Sequence, residues 1–187
     1  MSMLFPLFLR LAGRPVLVVG AGAVAERKIE DLARAGAVVH VVAPAGTAAV
    51  EALAEAGAIT WSRRSFEATD ADGAWLVVAA TDDPETQRAA CSAADAARVF
   101  SIAVDDPPNG TAYSASVIRR GPFTIAISSS GEAPALSRLL REVLEQALPD
   151  AEWIEAARAL RERWRSEGMP MTSRFADLVR AFKERAG

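Results

Sequence analysis

The sequence predicts an α/β fold: a mostly parallel β-sheet covered by helices, then a small α+β unit and a C-terminal helical segment. Two observations predict it. Short β-branched runs alternate with helix-length amphipathic stretches over residues 15–104, a pattern typical of parallel sheets with helical crossovers. After the prolines at 107 and 108, two short strand-like runs precede a series of helices. We therefore divide the chain into residues 1–112, 113–149 and 150–187.

Composition narrows the class of protein. A chain of 187 residues with 51% hydrophobic residues accommodates one domain and an accessory unit. Its net charge of -3 provides no field for nucleic acid, so no such partner is expected. No apolar run reaches the roughly 18 residues of a membrane span, so no membrane partner is expected. The single cysteine, Cys91, allows no disulfide framework and favours a cytoplasmic location.

The first part of the chain reads as alternating strands and helices. Gly20, Gly36 and Gly57 follow periodic segments and mark their ends, whereas Asp83 and Pro84 are typical of a helix start. The predicted strands span residues 15–19, 38–42, 58–61, 75–80 and 99–104, and the predicted helices span 23–35, 47–56 and 84–97.

The second part predicts a hairpin and three helices. Runs 115–118 and 123–128 form the hairpin, joined through residues 119–121, and helices follow at 134–148, 151–165 and 173–185. The first of these helices has one strongly apolar stripe: Leu136, Leu139, Leu140, Val143, Leu144, Ala147 and Leu148. A unit this small cannot bury the stripe by itself, so we expect a second copy of the chain to cover it in a homodimer.

A glycine-rich turn joins the first strand to the first helix. Residues 20–25 read G-x-G-x-x-A within a β-α-β unit, which is the context of a Rossmann-type dinucleotide site. Gly20 permits the tight turn, Gly22 admits a pyrophosphate, and the amides of Ala23 and Val24 at the helix start would bind it. The alternative is a glycine turn that closes a sheet without any ligand.

The end of the second strand departs from the usual NAD pattern. An acidic residue for the ribose commonly stands there, but this chain has Ala43, Pro44 and Ala45. We predict NAD as the cofactor, held by backbone groups near Pro44 and Ala45. NADP stays open, although no arginine follows directly for a 2′-phosphate.

Four segments in register resemble the precorrin-2 dehydrogenase family, which includes the N-terminal module of siroheme synthases. They are VGAGAVAERK at 19–28, AATDD at 79–83, VD at 104–105 and SSSG at 128–131. The resemblance implies NAD-dependent oxidation of the tetrapyrrole precorrin-2 to sirohydrochlorin by a homodimer. Some members also insert ferrous iron, so an additional ferrochelatase activity is an open expectation.

Asp105 is the predicted catalytic residue. It ends the last strand, at the carboxyl edge where open α/β sheets bind ligands, and the resemblance matches it to the family's key aspartate. The alternative is a turn cap before Pro107. Thr81 and Asp82 leave the fourth strand at the same edge and are predicted to approach the nicotinamide and its ribose. No metal ligand is assigned, except Asp105 if the chain is a chelatase, because His40 is interpreted as a sheet residue.

Substrate contacts are predicted in the second part of the chain. Ser128 and Ser129 precede a helix whose N-terminal amides suit a carboxylate, and Arg119, Arg120 and Arg138 could pair with the carboxylates of a tetrapyrrole. The alternatives are a plain loop for the serines and solvated surface positions for the arginines.

Two other functions compete with the dehydrogenase. One is a non-catalytic, NAD-sensing regulatory module, although such modules usually keep the acid that this chain lacks at Ala43. The other is a sirohydrochlorin chelatase without a dehydrogenase step, which the intact glycine turn disfavours.

Overall fold

The computed structural model describes residues 4–148 and 151–186, which divide into two compact units. The sheet unit runs up to Ser114 and includes Ser130–Glu132. The hairpin-helix unit contains Ala115–Ser129 and the chain from Ala133 onward. The division at residues 112, 149 and 150 stays a prediction, and positions 149 and 150 lie outside the described residues.

The sheet unit has the predicted parallel sheet with helical crossovers. Its five strands are all parallel and lie in the order β3-β2-β1-β4-β5. The strand order reverses between β1 and β4, and ligands of such sheets bind outside the carboxyl ends of the strands at this point. The elements are β1 (Pro15–Val19), α1 (Ala23–Arg34), β2 (Val38–Val42), α2 (Ala48–Glu55), β3 (Thr60–Ser62), β4 (Leu76–Ala79), α3 (Pro84–Ala96) and β5 (Phe100–Ala103).

Two hydrophobic cores cover the two faces of this sheet. Val16 and Val18 of β1 belong to the core that includes residues of α1 and α2, whereas Leu17 and Val19 belong to the core that includes α3. Successive side chains of a strand point to opposite faces, so a strand in the middle of the sheet must be apolar throughout. This is why the interior of β1 is entirely apolar and why His40 is the single polar residue of β2.

The third strand differs from the prediction. It begins at Thr60 rather than at residue 58, because the chain is still completing the end of α2. The Ala58 amide donates to the Leu53 carbonyl at 3.0 Å, and Ile59 is buried in the core. A 3-10 turn at Ala68–Ala71 was not predicted.

The hairpin-helix unit has two antiparallel strands and three helices, as predicted. The elements are β6 (Ser116–Arg120), β7 (Phe123–Ile127), α4 (Pro134–Ala147), α5 (Ala151–Ser166) and α6 (Met171–Ala186). The placement of Arg119 and Arg120 in the turn is wrong: both lie in β6, and Arg120 pairs with Phe123. Gly121, with φ +54°, and Pro122 form the turn, because glycine readily adopts positive φ.

The aromatic residues of α5 and α6 mostly pack as core. The Trp153 and Phe182 rings are 4.2 Å apart, and buried Trp164 donates its indole N–H to Asp177 at 2.8 Å. Phe175, in contrast, is 75% exposed. None of the helices in the described ranges is long and apolar enough to cross a membrane.

Candidate dinucleotide and catalytic site

The glycine turn after β1 has the geometry that its sequence predicts. Gly20 has φ +109°, and a Cβ there would lie 2.1 Å from the Ala80 carbonyl oxygen. Only glycine fits this close approach between the ends of β1 and β4. A Cβ on Gly22 would meet nothing within 4 Å, so open space adjoins the start of α1. Ala25 is fully buried, and its small side chain permits close packing of α1 on the sheet.

The loop after β2 is held beside this turn. The Thr47 amide donates to the Ala21 carbonyl at 3.0 Å, and a Cβ on Gly46 would lie 2.7 Å from Cβ of Ala21. Pro44 and Ala45 are exposed on this loop. The structure therefore brings the predicted cofactor residues after β1 and β2 together at one edge of the sheet.

A carboxylate that the sequence pattern does not indicate lies at this loop. Glu26, in the first turn of α1, accepts a hydrogen bond from the Thr47 hydroxyl at 2.7 Å, and both residues are half-buried. No pattern in the sequence indicates this hydrogen bond, because it joins residues of two different elements. A negative charge therefore lies close to the loop where the usual acid at the end of β2 is absent.

A cleft of about 220 Å³ opens where β4 and β5 end. It is smaller than the roughly 300–1,000 Å³ of a typical ligand pocket, so it suits one ring of a larger ligand. Four predicted site residues lie in its wall: Val24, Thr81, Asp82 and Asp105. The remaining lining residues are Ala80, Pro84, Gln87, Val104 and Asp106.

Asp105 has an unusual backbone conformation. Its φ is +60°, a region that aspartate tolerates better than most residues, and its side chain is exposed at the cleft. Within the described residues its carboxylate makes no hydrogen bond or ion pair. The neighbouring Asp106, in contrast, accepts a hydrogen bond from the Asn109 amide.

The turn after β4 combines a cleft-lining segment with a helix cap. The Thr81 hydroxyl accepts a hydrogen bond from the Asp83 amide at 3.2 Å. The Asp83 carboxylate accepts from the amides of Thr86 and Glu85 at 3.1 and 3.3 Å. Its hydrogen bond from the Thr86 hydroxyl, helped by these amides, lowers the pKa of Asp83. Asp83 therefore acts as the predicted cap of α3.

The serine-glycine run extends into the sheet unit. Ser130–Glu132 belongs to that unit, and a Cβ on Gly131 would lie 3.3 Å from Cγ of Pro107, close to Asp105 in the chain. Ser128 and Ser129 belong to the other unit, where the Ser129 hydroxyl accepts from the Ala133 amide at 3.1 Å. The end of the run thus lies beside the loop that carries Asp105.

The three predicted arginines lie in the hairpin-helix unit. Arg119 is exposed on β6, and Arg120 donates to the Leu148 carbonyl at 2.8 Å. Arg138 is exposed on α4 and pairs with Glu142 at 3.0 Å. Arg120 and Arg138 thus each have a local partner, whereas the guanidinium of Arg119 makes no hydrogen bond or ion pair with the described residues.

His40 and Cys91 have structural roles. His40 lies in β2, with Nδ1 2.9 Å from the Thr60 hydroxyl and Nε2 3.2 Å from the Ser62 hydroxyl. Cys91 is buried, and burial raises the pKa of its thiol. The described part of the chain contains no group of three or more metal-ligating side chains.

The sheet order, the glycine turn and the cleft at the strand ends define a dinucleotide-binding protein of the doubly wound α/β class. Comparison with known proteins specifies the family. A family model described as "Putative NAD(P)-binding" matches residues 7–116, and a second, "Sirohaem biosynthesis protein central", matches residues 120–147. The chain therefore belongs to this NAD(P)-binding family, and the resemblance seen in the sequence is confirmed.

The curated relatives are siroheme synthases. The chain is 48% identical over 144 residues to siroheme synthase 1 of Aeromonas salmonicida, covering 77% of this chain and 31% of that protein. It is 44% identical over 174 residues to siroheme synthase 1 of Pectobacterium atrosepticum, covering 91% of this chain and 36% of that protein. The chain thus spans about a third of the length of these relatives.

A solved structure confirms the fold. The protein described as "SirC, precorrin-2 dehydrogenase" matches with a TM-score of 0.73 at 20% identity, covering 97% of this chain and 100% of that one. The predicted α/β fold with its C-terminal helical segment is therefore correct.

The two glycines provide a matched test of the turn. Gly22→Ala should cost less than about 1 kcal/mol of unfolding free energy and weaken NADH binding by about 10-fold or more, because its methyl group would enter the open space. Gly20→Ala should cost more than about 2 kcal/mol, since its Cβ collides with backbone and its φ is strained. Thermal unfolding and NADH fluorescence titration measure both effects. Wild-type NADH affinity in Gly22→Ala would show that the dinucleotide lies elsewhere.

Proposed function

We propose that the chain catalyses the NAD+-dependent oxidation of precorrin-2 to sirohydrochlorin. The observation that carries this proposal is the placement of Asp105, whose exposed carboxylate lines a cleft at the same sheet edge as the glycine turn. The curated relatives of the chain are siroheme synthases, and the solved structure that matches it is described as a precorrin-2 dehydrogenase.

The residues at the sheet edge fit a dinucleotide. The start of α1 supplies backbone amides and the positive end of a helix dipole, which favour a pyrophosphate, and the space beside Gly22 is open. Bound NAD+ would supply a hydride acceptor for a ring carbon of the substrate. Asp105 would accept the proton that leaves a ring nitrogen, since a carboxylate without a competing partner is available as a weak base.

The preference for NAD+ over NADP+ rests on Glu26. Its carboxylate, held by Thr47 at 2.7 Å, places negative charge near the loop at Pro44 and Ala45 and would repel a 2′-phosphate. The nearby Arg63 lies over the Trp61 ring and pairs with Glu51 at 2.8 Å, so its charge already has a local partner.

A cytoplasmic location belongs to the same proposal, because the reaction draws on the NAD+ pool. Cell fractionation tests this location.

The carboxylates of a tetrapyrrole require cationic and hydrogen-bonding partners. We assign this role to Arg119, Arg120 and Arg138 together with Ser128 and Ser129. Arg120 uses one guanidinium donor on the Leu148 carbonyl, and its other donors would serve the substrate.

The direct test is turnover. Purified chain given precorrin-2 and NAD+ should produce NADH absorbance and the sirohydrochlorin spectrum, more slowly with NADP+. Asp105→Asn should lower kcat by about 100-fold or more and leave the Kd for NADH unchanged, because asparagine also tolerates positive φ. The matched control is Asp95→Asn, which alters an exposed carboxylate on α3 away from the cleft and should keep the wild-type kcat.

Other outcomes would assign other functions. No turnover by a folded wild-type chain that binds NAD+ would refute the dehydrogenase and favour a sensing module. Iron insertion into ready-made sirohydrochlorin without NAD+, in the absence of dehydrogenase turnover, would identify a chelatase. Iron insertion in addition to turnover would confirm the second activity that the family resemblance implies.

We further propose that α4 forms the interface of a homodimer. Its apolar stripe is largely exposed: Leu136, Leu139, Leu140, Val143 and Leu144 are 38–55% accessible. A contiguous apolar face of this kind is typical of an interaction surface, and a two-fold interface would let the stripe pack against its own copy.

Light scattering tests the dimer. The wild-type protein should have the mass of two chains in solution. The Leu139→Glu variant should have the mass of one chain, because the substitution would bury a charge at the interface. Arg138→Glu introduces the same side chain on the opposite, solvated face of α4 and should leave the dimer intact. A monomeric wild type, or a dimeric Leu139→Glu variant, would contradict this interface.

A further inference from the structure

Gln87 is a polar residue buried in the sheet unit. It lies in the first turns of α3 and is 6% exposed, on the helix face that also buries Ala90, Cys91 and Ala94. A buried amide without partners is costly. Its Nε2 donates to the Val104 carbonyl at 2.6 Å and lies 3.4 Å from the Ala79 carbonyl. One side chain therefore joins the end of β4 to the residue that follows β5.

The Val104 carbonyl belongs to the peptide group that enters Asp105. The backbone of Val104 is held on both sides of its Cα, since the Val104 amide donates to the Ala79 carbonyl at 2.9 Å and the Val104 carbonyl accepts from Gln87. The torsion that follows it is φ of Asp105, at +60°. Non-glycine residues keep such a conformation when surrounding contacts determine it. The orientation of this peptide and the φ of Asp105 together set where the Asp105 side chain leaves the backbone.

We propose that Gln87 is a positioning residue for Asp105. Its amide fixes the peptide between Val104 and Asp105 and so keeps the Asp105 backbone left-handed and its carboxylate at the cleft. Gln87 therefore acts on Asp105 indirectly, through the backbone carbonyl of Val104. The catalytic consequence rests on the proposed function of Asp105, whereas the conformational consequence does not.

The test is a double-mutant cycle with Gln87→Met, which keeps the approximate volume of the side chain and removes its donor. In the wild-type background kcat should fall by about 10- to 100-fold, as expected when a reacting group is misplaced by about 1 Å, with the Kd for NADH unchanged. In the Asp105→Asn background the same substitution should leave the residual kcat unchanged, because no carboxylate remains to be positioned. Arg88→Met is the matched control on the exposed side of α3 and should be silent in both backgrounds.

An equal loss of kcat in both backgrounds would assign Gln87 a general structural role and overturn the proposal. A wild-type kcat in the Gln87→Met variant would also overturn it. If Gln87→Met does not fold, Gln87→Glu replaces it in the test. A glutamic acid can donate to the Val104 carbonyl only when protonated, so kcat of this variant relative to wild type should rise as pH falls. A pH-independent ratio would contradict the proposal.

A crystal structure of the same variant separates this proposal from the proposed function. The φ angle of Asp105 should leave the positive region in Gln87→Met or Gln87→Glu. An unchanged φ would overturn the positioning role whether or not the wild-type chain oxidises precorrin-2. Absence of turnover in the wild type would refute the proposed function alone.

Discussion

The site depends on the close approach between the ends of β1 and β4. Gly20 lies so near the Ala80 carbonyl that no side chain fits between them. This contact lies where the strand order reverses, so helices leave the sheet towards opposite faces and a crevice opens between them. The start of α1 and the turn after β4 thereby border one space. If the two strand ends were farther apart, the amides of the glycine turn and the carboxylate of Asp105 would not border that space.

Each loop at this edge contributes a different chemical property. The glycine turn offers amides and open space, the loop after β2 lies beside the Glu26 carboxylate, and the chain after β5 presents Asp105. Each loop is held by a hydrogen bond to another element. The Thr47 amide, at the end of the loop after β2, donates to the Ala21 carbonyl of the glycine turn, and the Gln87 side chain of α3 donates to the Val104 carbonyl after β5. Loops of this kind carry function because a rigid scaffold positions them, and here the scaffold is a sheet buried on both faces.

Much of the sheet unit could be predicted because its local signals are strong. The bounds of β1 and β2 were predicted correctly, since buried β-branched runs end abruptly at glycine or alanine. The hairpin turn was misplaced because a glycine-proline pair is a stronger turn signal than the arginines before it. Gln87 was missed because a glutamine in a helix usually faces solvent. The spacing of residues 87, 90, 91 and 94 could have placed it on the buried face. The contact between Glu26 and Thr47 has no sequence signal, because it depends on how α1 and α2 pack.

In the proposed mechanism, the dinucleotide and Asp105 share the carboxyl edge of this sheet. A crystal structure of the chain grown with NAD+ tests it most directly. The pyrophosphate should lie against the amides of residues 20–24, and the nicotinamide ring should lie in the cleft lined by Thr81 and Asp105. A dinucleotide bound elsewhere, or one whose nicotinamide points away from Asp105, would contradict it.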